Sequence, residues 1–104
     1  MNRRVVLRPE AQVDLLQARD WYEQEGLELA EAFLDSFDAT IARIEAMPEL
    51  YAVALKNVRR GKLRRFPYVA YYRVLSDRIE VIGVLHGSRD PRVWEERVDR
   101  KKFL

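Results

Sequence analysis

The sequence predicts an α+β fold in which two antiparallel helices cover one face of a small antiparallel sheet. Two segments with helical periodicity come early in the chain, and three segments rich in β-formers follow them. A chain of 104 residues, 48% of them hydrophobic, suffices for one core but not for two. We therefore expect a single domain over residues 1–104, with a charged C-terminal tail at residues 95–104.

An opening strand and a helical hairpin are predicted for the first half. Residues 3–8 are rich in β-branched side chains and stop at Pro9, which suits the first turn of a helix. Apolar residues then recur at helical spacing up to Gly26, a typical helix end, and recur again as far as Pro48. We interpret these two stripes as the faces that pack into the core.

A three-stranded meander is predicted for the second half, over residues 58–66, 69–75 and 79–85. The helices are expected to cover one face of this sheet, so that the arginines lie on the other. Alternation along the last strand predicts that His86 points to the same side as Glu80, Ile82 and Val84. Pro91 can begin a short helical turn through Trp94.

Charge is divided unevenly along the chain. Residues 10–49 hold eleven acidic side chains against Arg19 and Arg43, a net charge of −9. Residues 50–76 hold seven basic side chains and no acidic one, a net charge of +7. A formal total of +2 therefore hides an acidic segment and a basic segment. The basic segment predicts a surface for an anionic partner: RNA, DNA or an acidic protein segment.

Several function classes are excluded by what the sequence lacks. There is no cysteine, which removes disulfides and thiolate metal sites and fits a cytoplasmic protein. We expect no signal peptide and no membrane span, because no apolar stretch is long enough. His86 is the only histidine, and neither a P-loop nor a dinucleotide-binding glycine motif is present. The sequence therefore predicts neither a metal site nor a cofactor.

Three stretches, in this order and spacing, resemble the RelE/ParE superfamily of toxins, and the resemblance covers essentially the whole chain. They contain Asp20-Trp21-Tyr22-Glu23, Leu63-Arg64-Arg65-Phe66-Pro67-Tyr68, and His86-Gly87-Ser88-Arg89-Asp90-Pro91. The resemblance implies the toxin of a type II toxin–antitoxin system, silenced by a cognate antitoxin in a hetero-oligomer. Two targets occur in the superfamily: ParE-like toxins inhibit DNA gyrase, whereas RelE-like toxins cleave messenger RNA in the ribosomal A site.

The choice between these targets depends on RNA-cleaving residues. Cleavage through the 2′-hydroxyl needs a base, a proton donor and cations on the phosphate. The catalytic candidates are His86 and Arg89, with Arg65 as a further cation. By resemblance, Val69 replaces an arginine of the nucleases and Trp94 replaces their catalytic tyrosine. We therefore favour a ParE-like gyrase inhibitor over a ribosome-dependent ribonuclease, and a non-toxic nucleic-acid-binding module is the second alternative.

An acidic, amphipathic antitoxin segment is the partner that fits the basic segment best. It could pair with a sheet edge while its carboxylates bind arginines, above all Arg64 and Arg65. Tyr71 and Tyr72 point to opposite faces, so we expect one of them to be available to a partner. The predicted antitoxin- or target-binding residues are Arg59, Arg60, Lys62, Arg64, Arg65, Tyr71, Tyr72, Arg73, Arg89 and Trp94; for gyrase we add Arg97, Arg100, Lys101, Lys102 and Phe103.

Overall fold

A computed structural model describes residues 3–99 of the chain. Strands and helices follow one another in the order strand, two helices, four strands and a last helix. They are β1 (Arg4–Leu7), α1 (Pro9–Glu25), α2 (Leu27–Ala46), β2 (Val53–Leu55), β3 (Val58–Lys62), β4 (Tyr68–Val74), β5 (Arg78–His86) and α3 (Arg92–Asp99). In the described part of the chain, no helix is both long and apolar enough to cross a membrane.

The predicted helical hairpin is confirmed. Helix α1 begins with Pro9 as expected, and a single residue, Gly26, separates it from α2. Gly26 has a φ of 151°, which side-chain-bearing residues rarely adopt, so glycine is required at this tight connection. Its N–H donates hydrogen bonds to the carbonyls of Tyr22 and Glu23, which closes the last turn of α1.

The predicted meander is also confirmed, within a larger sheet. Five strands lie in the order β1-β5-β4-β3-β2. Strands β3, β4 and β5 pair antiparallel, whereas β1 pairs parallel with β5. The short edge strand β2 was not predicted, because its three residues are all exposed and show no alternation.

A β-bulge in β5 overturns the predicted orientation of its side chains. Tyr71 lies opposite Gly83 but Tyr72 lies opposite Val81, so Ile82 is an extra residue. Beyond the bulge the alternation is reversed. Ile82 therefore belongs to a different cluster from Val84, and the prediction that His86 points with Glu80 and Ile82 is wrong.

Two apolar clusters lie on opposite faces of the sheet. The larger one, beneath α1 and α2, contains Phe33, Tyr72 and Val84. The second, beneath α3, contains Val58, Val69, Tyr71, Ile82, Leu85, Trp94 and Val98. Trp94 and Val98 lie four positions apart, one turn along α3, so both face the sheet and are buried. The predicted charged tail is therefore wrong for residues 95–99, whereas residues 100–104, with Arg100, Lys101, Lys102 and Phe103, lie outside the described residues.

Candidate binding surfaces and the His86 groove

A buried ion pair joins α1 to α3. The carboxylate of Asp14 accepts hydrogen bonds from Nη1 and Nη2 of Arg97, at 2.7 and 3.2 Å. It also accepts the backbone N–H of Val84 at 3.0 Å, while Arg97 donates to the carbonyl of Ile82 at 3.1 Å. Strand β1 pairs with β5 only as far as Val81, so this ion pair occupies the edge of β5 that β1 leaves open. Each buried charge and both backbone groups thus find a partner.

A second ionic group fixes the face of the sheet beside α3. Glu80 accepts Nε of Arg73 at 3.0 Å and lies 3.2 Å from Nε of Arg8. Burial on its own would raise the pKa of Glu80, but the hydrogen bonds from the two arginines outweigh it and lower the pKa below its ordinary value. Arg8 also donates to the carbonyl of Arg97, which ties this group to α3.

The seven basic residues of the 50–76 segment do not share one face, contrary to the prediction. Arg73 is paired with Glu80 and is half-buried. Arg59 lies opposite Tyr72 and donates to the carbonyls of Glu49 and Tyr51, at 3.3 and 2.7 Å. These two arginines therefore stabilise the fold. Arg59 on β3 and Arg73 on β4 point to opposite faces of the sheet, and on each face the side chain meets polar groups of the chain itself.

Two basic residues do lie exposed on the α3 side of the sheet. Arg60 and Lys62 are two positions apart on β3, opposite Tyr71 and Val69. The guanidinium carbon of Arg60 lies 5.8 Å from the centre of the Tyr71 ring, within cation–π range. Neither cation has a carboxylate partner among residues 3–99.

Arg64 and Arg65 form a separate basic group at the turn between β3 and β4. The backbone carbonyl of Arg64 accepts the Ser36 hydroxyl of α2 at 2.6 Å. The ring of Phe66 packs against those of Tyr22 and Phe33, at 5.1 and 5.5 Å between centroids. The backbone of the turn is thus anchored to the helical hairpin, while both guanidinium groups stay exposed and without a carboxylate partner in the part described.

The backbone of this turn is strained at Arg65. Arg65 has a φ of 73°, in the left-handed region that costs a side-chain-bearing residue roughly 1–3 kcal/mol. Its guanidinium lies 5.9 Å from the Phe66 ring, a weak contact that does not require an arginine. Arg65 is therefore an exposed side chain on a strained backbone position.

Neither tyrosine is available to a partner, although the sequence predicted that one would be. Tyr72 is fully buried in the larger cluster, and its hydroxyl donates to the carbonyl of Pro48 at 2.6 Å. Tyr71 is 3% exposed because the Trp94 ring stacks on it, with 4.8 Å between centroids and 17° between planes. Trp94 is 4% exposed. A sheet covered on both faces buries both orientations, which strand parity alone does not reveal.

His86 and Arg89 lie in one shallow groove at the end of β5, together with Trp21, Tyr68 and Gln17. Nδ1 of His86 accepts the backbone N–H of Ser88 at 3.1 Å. Since Nδ1 accepts, the proton of the neutral ring resides on Nε2. The lone pair on Nδ1 of the His86 ring is thus used within its own turn.

Sequence patterns did not predict that Trp21 and Tyr68 line the groove beside His86, nor that Asp14 pairs with Arg97. Trp21 was interpreted as part of the apolar stripe of the first helix, Tyr68 lay between two predicted strands, and Arg97 was assigned to the charged tail. One signal was present for Asp14, because a carboxylate stands in register with the buried positions Ala11 and Ala18 of α1. A charged residue on an apolar stripe predicts a buried partner.

Comparison with known proteins agrees with this architecture. Residues 5–91 match the family model of the ParE toxin of the type II toxin–antitoxin system, parDE. Toxin ParE2 of Mycobacterium tuberculosis, in strains CDC 1551 / Oshkosh and ATCC 25618 / H37Rv, is 28% identical over 104 residues, which cover 99% of both chains. A solved structure of the chromosomal ParDE TA system from P. aeruginosa superposes with a TM-score of 0.71 at 20% identity, covering 81% of this chain and 95% of that one.

The solved ParDE structure thus shares with this chain the fold in which a helical hairpin covers a meander sheet. Because the family model matches more than half of the sequence, the chain belongs to the ParE toxin family of type II toxin–antitoxin systems.

Proposed function

We propose that this ParE-family toxin inhibits DNA gyrase by binding, without nuclease chemistry, and that a cognate antitoxin neutralises it in the cytoplasm. The supporting observation is the burial of the positions where the nuclease branch carries active residues. Val69 is 1% exposed and Trp94 is 4% exposed, and both pack in the cluster beneath α3. A hydrophobic core in that place offers no group that could exchange a proton with RNA.

The state of His86 supports the same proposal. A general base must present a lone pair to the proton that it removes. The lone pair of neutral His86 accepts the Ser88 N–H, and the Ser88 hydroxyl lies 2.8 Å from the same nitrogen. In this arrangement Nδ1 of His86 is engaged within its own turn, which makes the ribonuclease the weaker candidate.

Arg64 and Arg65 are the proposed anchors for the antitoxin. Both are exposed beside α2, and their guanidinium groups can each grip a carboxylate through two hydrogen bonds. Arg60 and Lys62 supply a second pair of cations for the antitoxin's carboxylates, on the α3 side of the sheet. An acidic segment that runs past the turn would engage both groups, which supports a hetero-oligomeric toxin–antitoxin complex.

The test of the target is a supercoiling assay with purified gyrase and increasing toxin. We expect supercoiling to fall as toxin is added, and to recover when the small acidic protein encoded beside the toxin gene is added in equal amount. Undiminished supercoiling at a large excess of folded toxin would refute the gyrase proposal.

The test of the anchors compares two charge reversals in the same assay. The variant Arg64→Glu/Arg65→Glu is expected to resist rescue by the antitoxin. Arg78→Glu is the control, since Arg78 begins β5, its side chain is 43% exposed, and it forms an ion pair with its neighbour Asp77. Equal rescue of both variants would show that the β3–β4 turn is not the antitoxin anchor.

A further inference from the structure

Helix α1 carries apolar side chains on both of its faces. Its inner face packs on the sheet, whereas Val13, Leu16 and Trp21 are 52%, 47% and 56% exposed. Leu16 lies three positions and Trp21 eight positions after Val13, so these three residues form one outer apolar face of α1. On α2, large apolar residues are exposed only in the first turn, at Leu27 and Leu29. A helix with apolar side chains all round is normally covered on every side, so α1 has an outer face without a partner.

The outer apolar face of α1 continues into the groove at the end of β5. Gln17 lies one turn before Trp21, and both line this groove, which encloses about 180 Å³. That volume is below the roughly 300 Å³ at which small-molecule pockets begin, but it can take one side chain of a partner protein. Trp21 makes an edge contact with Tyr22 at 5.1 Å and leaves most of its ring in solvent. Because exposed tryptophans are enriched at the energetic centres of protein interfaces, this surface is suited to binding another protein.

The charge of the helical hairpin decides which kind of protein fits this face. Residues 10–49 carry a net charge of −9 from eleven acids and two arginines. This charge repels nucleic acid, an acidic antitoxin segment and a second copy of the same hairpin. On the face itself, Asp20 lies between Leu16 and Trp21 and is paired with Arg19 at 2.6 Å. The complementary partner is therefore a protein surface with an apolar centre and a basic rim.

We propose that the toxin binds gyrase through the outer apolar face of α1, and that this face contacts the enzyme's protein surface and not its DNA. The inference rests on the proposed inhibition of gyrase. An enzyme that binds DNA exposes cationic side chains for the phosphates, and these supply the basic rim.

The proposed antitoxin anchors lie outside this face but close to one end of it. Arg64 and Arg65 precede Phe66, whose ring contacts that of Tyr22 at 5.1 Å between centroids. Tyr22 is in turn the neighbour of Trp21, and their rings are in contact. An antitoxin held at the β3–β4 turn would therefore obstruct a large enzyme at α1, although it binds to different residues.

Binding of the intact toxin to purified gyrase without DNA tests the proposal. The wild type is expected to bind saturably, and Val13→Gln/Leu16→Gln and Trp21→Ala are each expected to bind at least about ten-fold more weakly, as for residues at the centre of an interface. The matched control is Leu50→Gln/Val53→Gln, which changes the same two residue types in and beside the edge strand β2, where they are 52% and 50% exposed. This control is expected to bind gyrase as the wild type does.

The supercoiling assay separates this inference from the proposed function. If the wild type binds gyrase through α1 but leaves supercoiling undiminished, the proposed inhibition fails and the binding face stands. If the α1 variants bind gyrase and inhibit it as well as the wild type does, the binding face is wrong and gyrase remains the target. A wild type that neither binds gyrase nor inhibits it overturns both.

Three other results would assign the outer apolar face to another occupant and overturn the proposal. The first is binding of the wild type to gyrase only when DNA is present. The second is a wild-type toxin that sediments as a dimer and a Val13→Gln/Leu16→Gln variant that sediments as a monomer. The third is loss of antitoxin binding in that variant while its far-UV circular dichroism matches that of the wild type; retained antitoxin binding is the expected result.

Discussion

Removal of the Asp14 carboxylate tests how α3 is held on the sheet. In Asp14→Ala, the guanidinium of Arg97 stays in a site where its side chain is only 12% exposed, and it loses its counter-charge. The N–H of Val84 also loses its acceptor. Breaking one side of a buried ion pair costs roughly 3–5 kcal/mol. Because a domain of this size is stable by only about 5–15 kcal/mol, we expect a large fall in the unfolding free energy.

The assay is urea unfolding followed by far-UV circular dichroism, together with the near-UV signal of the stacked Trp94 and Tyr71 rings. Asp14→Asn keeps an acceptor for Val84 but not the charge, so its unfolding free energy is expected to lie between those of the wild type and Asp14→Ala. Asp20→Ala is the control, since Asp20 forms only an exposed ion pair with Arg19. The reasoning is refuted if Asp14→Ala unfolds at the same urea concentration as the control and keeps the near-UV signal.

Three further changes test other parts of the structure. Because the pKa of Glu80 is lowered, its carboxylate stabilises the fold above pH 4.5, the ordinary pKa of this group, and this stabilisation is lost as the pH falls below that value. In urea titrations from pH 7 to about 3, Glu80→Gln is expected to show a flatter dependence of the unfolding free energy on pH. Burial raises the pKa of Tyr72 from 10 to about 12, so stability is lost as pH rises through this window, by roughly 3 kcal/mol at most. Tyr72→Phe is expected to show a shallower loss in a separate series of urea titrations carried through this alkaline window. In Arg65→Gly, glycine removes the left-handed strain and the greater entropy of its unfolded chain offsets part of the gain, so the variant is expected to be at least as stable as the wild type. Its antitoxin binding is expected to be weaker in calorimetry, and a large loss of stability would contradict a recognition role.

The local order of the fold was predictable because its signals lie within short stretches of sequence. Pro9 and Gly26 mark the ends of α1, and helical spacing shows the stripes of both helices. The β-formers on either side of Asp77 similarly predict the β4–β5 hairpin. Each of these inferences needs only neighbours in the chain.

What the sequence did not predict depends on distant contacts. The bulge at Ile82 lies directly after Val81, where the pairing of β5 with β1 ends, and it reverses the side on which His86 lies. In helix α3 the buried residues Trp94 and Val98 are only one turn apart, and the charged residues around them suggest a tail. The ion pair that holds the helix on the sheet joins Arg97 to Asp14, which is 83 residues away in the sequence. Distant contacts also decide which arginines are used within the fold. Arg59 and Arg73 bind groups of other elements, the carbonyl of Tyr51 and the carboxylate of Glu80, whereas Arg64 and Arg65 stay exposed.

The measurement that tests the central claim most directly follows one toxin preparation in two reactions at the same concentrations. One contains purified gyrase and relaxed plasmid, and the other contains ribosomes translating a defined messenger RNA. A binding toxin whose nuclease positions are filled by Val69 and Trp94 is expected to abolish supercoiling and leave the messenger RNA intact. Messenger RNA that is cut by the wild type but not by His86→Ala, with supercoiling unaffected, would contradict it.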